Sequence, residues 1–129
     1  EMQVMSDALK QSDYPDISVV IGFADAIKDG MEASRHLLNG AEDDKHHAGA
    51  ISVNFMMLFG YLCGGWAIVK GAMKARTMLD AGEGDEAFLS AKLQTARFYC
   101  EHMLPRTRAC LSVVKSGSDA VMAMPDDQF

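Results

Sequence analysis

The sequence predicts an all-α domain, an up-down antiparallel bundle of three long helices plus short terminal helices. Three observations lead to this prediction. Residues 48–69 contain no charged side chain. Apolar residues recur three and four positions apart in the flanking segments, which is the period of a helix with one buried face. Only 3 of the 129 residues are proline, and no segment alternates polar and apolar residues as a half-buried strand does.

Length, charge and cysteine content limit the classes of function. A chain of 129 residues is long enough to bury one core without disulfides or metals. The net charge of −6 argues against nucleic acid and against an anionic membrane surface as partners. Cys63, Cys100 and Cys110 form no C-x-x-C pair and fall inside helical patterns. We therefore expect them to be small buried residues of a cytoplasmic protein.

Two helices are predicted before the uncharged segment. Residues 2–12 form a short amphipathic helix that Asp13, Tyr14 and Pro15 break. The second helix is predicted over residues 16–38, with Asn39 and Gly40 at its end, and with Asp29 on its solvent side. The apolar residues of its predicted core face share helical spacing: they are Ile17, Val20, Ile21, Ala24, Ile27, Met31 and Leu38.

The third helix carries the uncharged segment and runs from a cap at Asp43 or Asp44 to about Leu79, before Gly82. We expect it to be the axis of the bundle and buried on all sides, because glycines remove side chains where another backbone comes close. Those glycines are Gly60, Gly64 and Gly65, beside Trp66. An uncharged run of about 20 residues also has the length of a membrane span. Polar Ser52 and Asn54 and the absence of a second candidate favour the buried helix over a membrane span.

The fourth helix is predicted over residues 85–115, with a kink near residues 101–105 because Pro105 removes one backbone hydrogen bond. Gly117 ends it, and Ser118 can cap a last turn over residues 119–124. The predicted core face of this helix is again apolar at helical spacing: Leu89, Leu93, Ala96, Cys100, Met103, Cys110 and Val114.

No catalytic, cofactor-binding or metal-binding residue is predicted. Bundles that hold two irons need Glu-x-x-His pairs on facing helices, and the sequence contains none. His46 and His47 are adjacent, so they point to different faces and are predicted to form a solvated helix start. Cys100 and His102 are two positions apart on a helix and do not face each other, which argues against a cysteine nucleophile with a histidine base.

Three further polar groups have structural interpretations. Glu32 and His36 are predicted to form a surface pair one turn apart. His102 is predicted to contact a backbone carbonyl that Pro105 frees. Arg97 is predicted to pair with Glu101 one turn on, within a modest basic patch that includes Arg106 and Arg108.

Two long motifs carry a resemblance. The segment FGYLCGGW at residues 59–66 and the segment KLQTARFYCEHMLP at residues 92–105 resemble the C-terminal accessory domain of acyl-CoA dehydrogenases. The resemblance is to the branch that includes the 3-methylmercaptopropionyl-CoA dehydrogenase type. Residues 117–129, with VMA at 121–123 and a terminal QF, are similar to the end of that domain. The motif positions, taken as packing or interface residues, are Gly60, Gly64, Gly65, Trp66, Arg97, Tyr99, Glu101, His102 and Pro105.

The resemblance implies a non-catalytic tail of an enzyme that uses FAD to introduce an α,β double bond into an acyl-CoA. The flavin pocket and the catalytic base would belong to an upstream core, so no cofactor is expected in this chain. Residues 1–14 would link that core to a bundle at residues 15–129. The chain begins with Glu1, as an excised or processed protein would. The core or a partner subunit is the expected partner, within a homo-oligomer. A free-standing helical interaction or oligomerisation module is the alternative.

Overall fold

The chain forms a bundle of α-helices, as the sequence predicts. The computed structural model describes residues 1–12, 14 and 16–128, with the backbone alone at position 126, and shows no strand among them. The predicted break at Asp13 and Pro15, and the terminal Phe129, lie outside the described residues. The helices are α1 (Met2–Gln11), α2 (Ile17–Asp43), α3 (His47–Asp80), α4 (Glu86–His102), α5 (Arg106–Ser116) and α6 (Asp119–Met122), followed by a 3-10 turn (Asp126–Gln128).

Two groups of buried side chains form the core, and α3 contributes to both. The first group contains side chains from α1, α2, α3 and α4 and is centred on Phe23, Leu62 and Val69. Leu9 of α1 is fully buried in it, so the first helix packs on the bundle. The second group joins the other end of α2 and α3 to α5 through Ala33, Ile51, Leu58, Leu111 and Val114.

Helix α2 differs from its prediction in length and in which face is buried. It continues through Gly40 to Asp43. Glycine at position 40 is used for packing and does not end the helix, since the imidazole of His47 occupies the space that a side chain there would need. Its core residues are Val19, Phe23, Ala26, Ile27 and Ala33. The predicted core residues Ile17, Ile21, Met31 and Leu38 are exposed instead. Apolar residues lie on both sides of α2, so their period alone did not identify the buried side.

The start of α3 is also capped differently from the prediction. Its N-cap is His46, which makes no side-chain capping bond. Asp44 ends α2, and its carboxylate accepts a 2.9 Å hydrogen bond from the backbone N–H of His46. The predicted end is close to the observed one, since α3 ends at Asp80. Gly82 follows with φ 67°, a backbone conformation that favours glycine.

The predicted fourth helix is two helices in the structure. Asp85 caps α4 by accepting a 2.7 Å bond from the N–H of Phe88. The interruption falls at the predicted place, but it is a full turn over residues 103–105 rather than a kink. In that turn the N–H of Leu104 reaches the carbonyl of Tyr99, 3.0 Å away. Pro105 then serves as the N-cap of α5, where a missing N–H costs nothing.

Candidate functional site

The side of α3 that packs on α4 contains a notch at Gly64. A Cβ built at Gly64 would overlap the hydroxyl of Tyr99. Through this notch the Tyr99 hydroxyl donates a 3.1 Å hydrogen bond to the backbone carbonyl of Tyr61. Burial, and then the proximity of Tyr61, raises the pKa of Tyr99 above its ordinary value. The notch therefore fixes the position of α4 along α3.

Gly65 forms the next contact on the same helix. A Cβ there would lie 2.8 Å from a methyl carbon of Leu104, which is 1% exposed. Leu104 enters this space because the turn before Pro105 directs the chain back towards α3. Glycine at Gly65 and the α4–α5 interruption thus belong to one packing arrangement.

A buried carboxylate at the start of α5 was missed by the sequence analysis. Asp29, predicted on the solvent side of α2, is 3% exposed. Its carboxylate accepts a 2.8 Å hydrogen bond from the hydroxyl of Thr107 and lies 3.0 Å from the guanidinium of exposed Arg108. The available signal was the pair Thr107–Arg108 in the first turn of α5, after Pro105, where the free N–H groups of a new helix favour a nearby anion.

The remaining motif residues of α4 lie at the surface. Arg97 donates a 3.0 Å hydrogen bond to Glu101 and approaches Asp16 at 3.6 Å. The bond to Glu101, and then the two carboxylate charges, raise the pKa of Arg97. His102 is exposed and stacks on Phe98 with ring centroids 4.9 Å apart. The predicted contact of His102 with a freed carbonyl is therefore replaced by ring stacking.

The predicted basic patch is divided among separate contacts. Arg106 lies over the ring of Tyr61, 5.8 Å from its centroid, while Arg108 pairs with Asp29. Glu32 does not pair with His36: it accepts a 2.6 Å hydrogen bond from Lys115 of α5. That bond lowers the pKa of Glu32. Arg97, Arg106 and Arg108 therefore make separate contacts between helices and form no common anion site.

The outer side of α3 is exposed, which corrects the expectation of a helix buried on all sides. Gly60 is exposed, and no atom lies within 4 Å of a Cβ built there, so it is not a helix contact within this chain. Trp66 is half-buried, with Lys70 over its ring at 5.1 Å. Cys63, predicted to be buried, is also exposed. We call this surface the open face of α3; its residues are Gly49, Val53, Met56, Gly60, Cys63, Ala67 and Gly71.

The open face is long and uncharged for a surface helix. Val53 and Met56 are 63% and 66% exposed, and α3 carries no Asp, Glu, Lys or Arg before Lys70. By length and composition α3 could cross a membrane, and only 22% of its most apolar 18-residue window is buried. A bundle of this size covers α3 on one side, since α2, α4 and α5 all pack on the side of Leu58, Leu62 and Val69.

Polar side chains also connect the end of α2 with the start of α3 and the end of α5. His47, predicted to be solvated, is 9% exposed, and its Nε2 lies 3.2 Å from the carbonyl oxygen of His36. Ser118, predicted to cap the last turn, instead donates its hydroxyl hydrogen bond to Asp44. This bond, followed by the one from the N–H of His46, lowers the pKa of Asp44.

Two kinds of site can be examined directly, a cysteine nucleophile at Cys100 and a metal site. Burial, and then the charges of Asp16 and Glu101, raise the pKa of Cys100 to about 12, so its thiol stays protonated and is a poor nucleophile. Among residues 1–12, 14 and 16–128 no group of three or more His, Cys, Asp or Glu side chains is placed to hold a metal ion.

The acidic hollow between α3 and α4 is a poor fit for FAD. It has a volume of about 530 Å³, and its rim carries Asp80, Glu83 and Glu86 against a single cation, Arg76. Such a rim repels the pyrophosphate of a dinucleotide. A second groove of about 420 Å³ runs along α3 and α4 between Ala67 and Phe88. Its lining is mostly apolar and includes Lys74 and Lys92.

These features define a helical packing domain with one uncovered apolar face. The chain belongs to the family described as "Acetyl-CoA dehydrogenase C-terminal like", whose model matches residues 18–125. It is 37% identical over 87 residues to 3-methylmercaptopropionyl-CoA dehydrogenase of Ruegeria pomeroyi, covering 67% of this chain and 15% of that protein. It is 31% identical over 86 residues to the broad-specificity linear acyl-CoA dehydrogenase FadE5 of Mycobacterium tuberculosis, covering 65% of this chain and 14% of that protein.

The matches thus span about a seventh of the length of these relatives. The family assignment confirms the resemblance that the two sequence motifs carry, and the chain is a C-terminal domain of the acyl-CoA dehydrogenase family.

Proposed function

We propose that this domain has an assembly role in an FAD-dependent acyl-CoA dehydrogenase and does no chemistry of its own. In the parent enzyme, an upstream core would bind FAD and the acyl-CoA thioester and carry out the α,β-dehydrogenation. Residues 1–14 would connect that core to the bundle at residues 15–129. A cytoplasmic location belongs to the same proposal. The support is the family match together with the names of the two relatives.

One observation carries the assembly role: the open face of α3 leaves large apolar side chains in water. Val53 and Met56 of this face are 63% and 66% exposed. Each fully buried side chain of this kind contributes roughly 1.5–3 kcal/mol. A contiguous uncharged surface of this length marks an interaction site. We infer that the parent enzyme covers it with its core or with a partner subunit.

The motif residues divide between two roles in this proposal. Gly64, Gly65, Tyr99 and Pro105 would hold α4 and α5 against α3, which keeps the open face straight. Gly60 and Trp66 would belong to the interface itself. Arg97, Glu101 and His102 lie on the exposed side of α4 and would contact the rest of the enzyme from that side.

The test compares the parent enzyme with a variant that carries Val53→Glu and Met56→Glu. Both substitutions place charge on exposed positions, so the isolated bundle should fold unchanged. In the parent we expect a lower melting temperature and weaker assembly, with FAD content retained at low temperature. Ser112→Glu, on the exposed side of α5, is the matched control. Unchanged melting and assembly in the double variant would contradict the proposal.

The isolated domain gives a second test. Mixed with FAD and desalted, it should retain no flavin absorbance and should oxidise no acyl-CoA. Stoichiometric flavin retention would show that the chain contributes a cofactor site. If an unrelated protein partner were recovered and no dehydrogenase core preceded the domain in its gene, the free-standing interaction module would replace the proposal.

A further inference from the structure

The open face of α3 has an internal symmetry that its role as an apolar surface does not require. Its residues are spaced four and three positions apart, so they form one line roughly 33 Å long along the helix. Gly60 lies at the centre of this line. Gly49 and Gly71 lie equally far from it in the two directions, and all three glycines have open space where a Cβ would be.

We propose that the open face pairs with the same face of a second copy of this chain, antiparallel, with the two-fold axis at Gly60. This inference rests on the proposed function in one respect, because it names the partner that covers the face. In this register Gly60 meets its own counterpart and Gly49 meets Gly71. Val53 lies opposite Ala67, and Met56 lies opposite residue 64, next to Cys63, so that larger side chains meet smaller ones across the interface.

Charge complementarity at the two ends of the face supports the second copy as the occupant. Lys70 and Lys74 are exposed at one end of α3. Lys70 already lies 3.9 Å from the carboxylate of Glu1 in its own chain, so the pairing rests mainly on Lys74, which has no carboxylate within 4 Å among the described residues. The antiparallel register brings these lysines towards the partner's other end, where exposed Glu42 and Asp43 close α2. By the two-fold symmetry the same pairing occurs twice.

The lysines of α3 and the end of α2 also lie on the side of the molecule that this antiparallel pairing requires. Lys74 borders the hollow that contains Ser12 and Tyr14, on the α1 side of α3, and also the groove that contains Phe88, on the α4 side. Phe59 borders the hollow that contains Met31, on the α2 side of the same helix. On the helical wheel Lys70 and Phe59 project from the same side of α3. A two-fold axis perpendicular to α3 within the interface keeps that side common to both copies, so the lysines of one copy meet the α2 terminus of the other.

A single helix face limits the strength of this pairing. A strip about 33 Å long and about 10 Å wide is roughly 330 Å² per copy, against roughly 800 Å² per partner in a standard interface. Exposed Met31 of α2, which borders the same hollow as Phe59 of α3, adds area beside it. The dimer is therefore modest and concentration-dependent.

The first experiment measures the mass of the chain by sedimentation equilibrium over a wide range of concentration. The wild type should associate to a dimer, and added salt should weaken it. Gly60→Glu places two carboxylates together on the axis, and the dimer should weaken by roughly a hundredfold. Because Gly60 has open space and glutamate is the better helix former, the variant folds at least as well. Ser112→Glu should dimerise like the wild type.

The second experiment tests the register by oxidative cross-linking in a Cys63→Ser background. Gly60→Cys should form a disulfide-linked dimer by itself. Gly49→Cys and Gly71→Cys should each fail alone and should cross-link when mixed. Self-cross-linking at Gly49→Cys would indicate a parallel pair and would overturn the proposal. The charge swap Lys74→Glu should weaken the dimer, and adding Asp43→Lys should restore it.

A monomeric wild type at every concentration would also overturn the inference, and so would binding to anionic vesicles in place of self-association. The proposed function fails by different measurements. If the parent enzyme loses stability with Val53→Glu and Met56→Glu while the isolated chain stays monomeric, the open face covers the core instead. If the chain dimerises while the parent is unaffected, the assembly role in the enzyme is wrong.

Discussion

The hydroxyl of Tyr99 donates a hydrogen bond to the backbone carbonyl of Tyr61, and the side chain reaches that oxygen because residue 64 is glycine. This hydrogen bond fixes the position of α4 along α3. It relates the two sequence motifs directly, since Tyr61 and Gly64 lie in one and Tyr99 in the other. The motifs are thus two sides of one helix contact.

We expect Tyr99→Phe to lower the free energy of unfolding by about 1 kcal/mol, which is the usual loss for one hydrogen bond between protein groups. The ring and its packing remain. Tyr61→Phe is the control, because the acceptor is the backbone oxygen of residue 61 and survives that change. Urea unfolding of both variants measures the difference. Equal losses in the two variants would show that the bond contributes nothing.

Glycine substitutions in α3 should separate buried from open positions. Gly64→Ala would overlap Tyr99, and we expect a loss of roughly 1–3 kcal/mol from overpacking. Gly60→Ala meets no atom within 4 Å, so the better helix propensity of alanine should raise stability by roughly 0.5–1 kcal/mol. Thermal and urea unfolding of the two variants provide the comparison. A loss at Gly60 would mean that this position packs within the chain.

Much of the fold could be predicted from the sequence. The helix ends at Gly82, Asp85 and Gly117 follow from local chemistry, namely a positive φ or a capping carboxylate. The position of the interruption follows from Pro105. The apolar positions of α4 and α5 were assigned well because polar residues surround them, which leaves one choice for the buried side.

The buried faces of α2 and α3 could not be predicted in the same way. In α3 apolar residues surround the helix, so the period carries no information on which side is covered. In α2 Phe23 and Ile21 compete for the core, and only the position of α3, α4 and α5 decides between them. The burial of Asp29 could not be predicted for the same reason. Its partners Thr107 and Arg108 lie far along the chain, and their contact with Asp29 depends on where α5 starts.

The buried carboxylate of Asp29 should make stability sensitive to Thr107. Thr107 is 1% exposed and donates to Asp29, so Thr107→Val leaves one buried carboxylate oxygen without its donor. We expect a loss of roughly 1–3 kcal/mol. Thr107→Ser keeps the hydroxyl and is the control for the loss of the hydrogen bond. If unfolding shows Thr107→Val to be as stable as Thr107→Ser, water has replaced the donor and the bond is unimportant.

Because of the hydrogen bond between Ser118 and Asp44, the free energy of unfolding should decrease at acid pH. The folded-state pKa of Asp44 is lowered, first by the Ser118 hydroxyl and then by the N–H of His46. A carboxylate whose pKa is lower in the folded state stabilises the fold above its unfolded pKa of about 3.9. That contribution is lost as pH falls through the lower, folded pKa. Stability should therefore fall between about pH 4 and more acid values.

Ser118→Ala removes the largest cause of that shift. We expect the variant to be less stable than the wild type at pH 7 and to approach it at pH 2, because the protonated carboxyl no longer distinguishes the two proteins. Urea unfolding at a series of pH values measures this convergence. Asp43→Asn is the charge control, since Ser118 donates to Asp44 and not to its neighbour. A constant difference between Ser118→Ala and the wild type at all pH values would mean that Ser118 acts through packing of the α5 end alone, and the linkage between Asp44 and acid stability would be wrong.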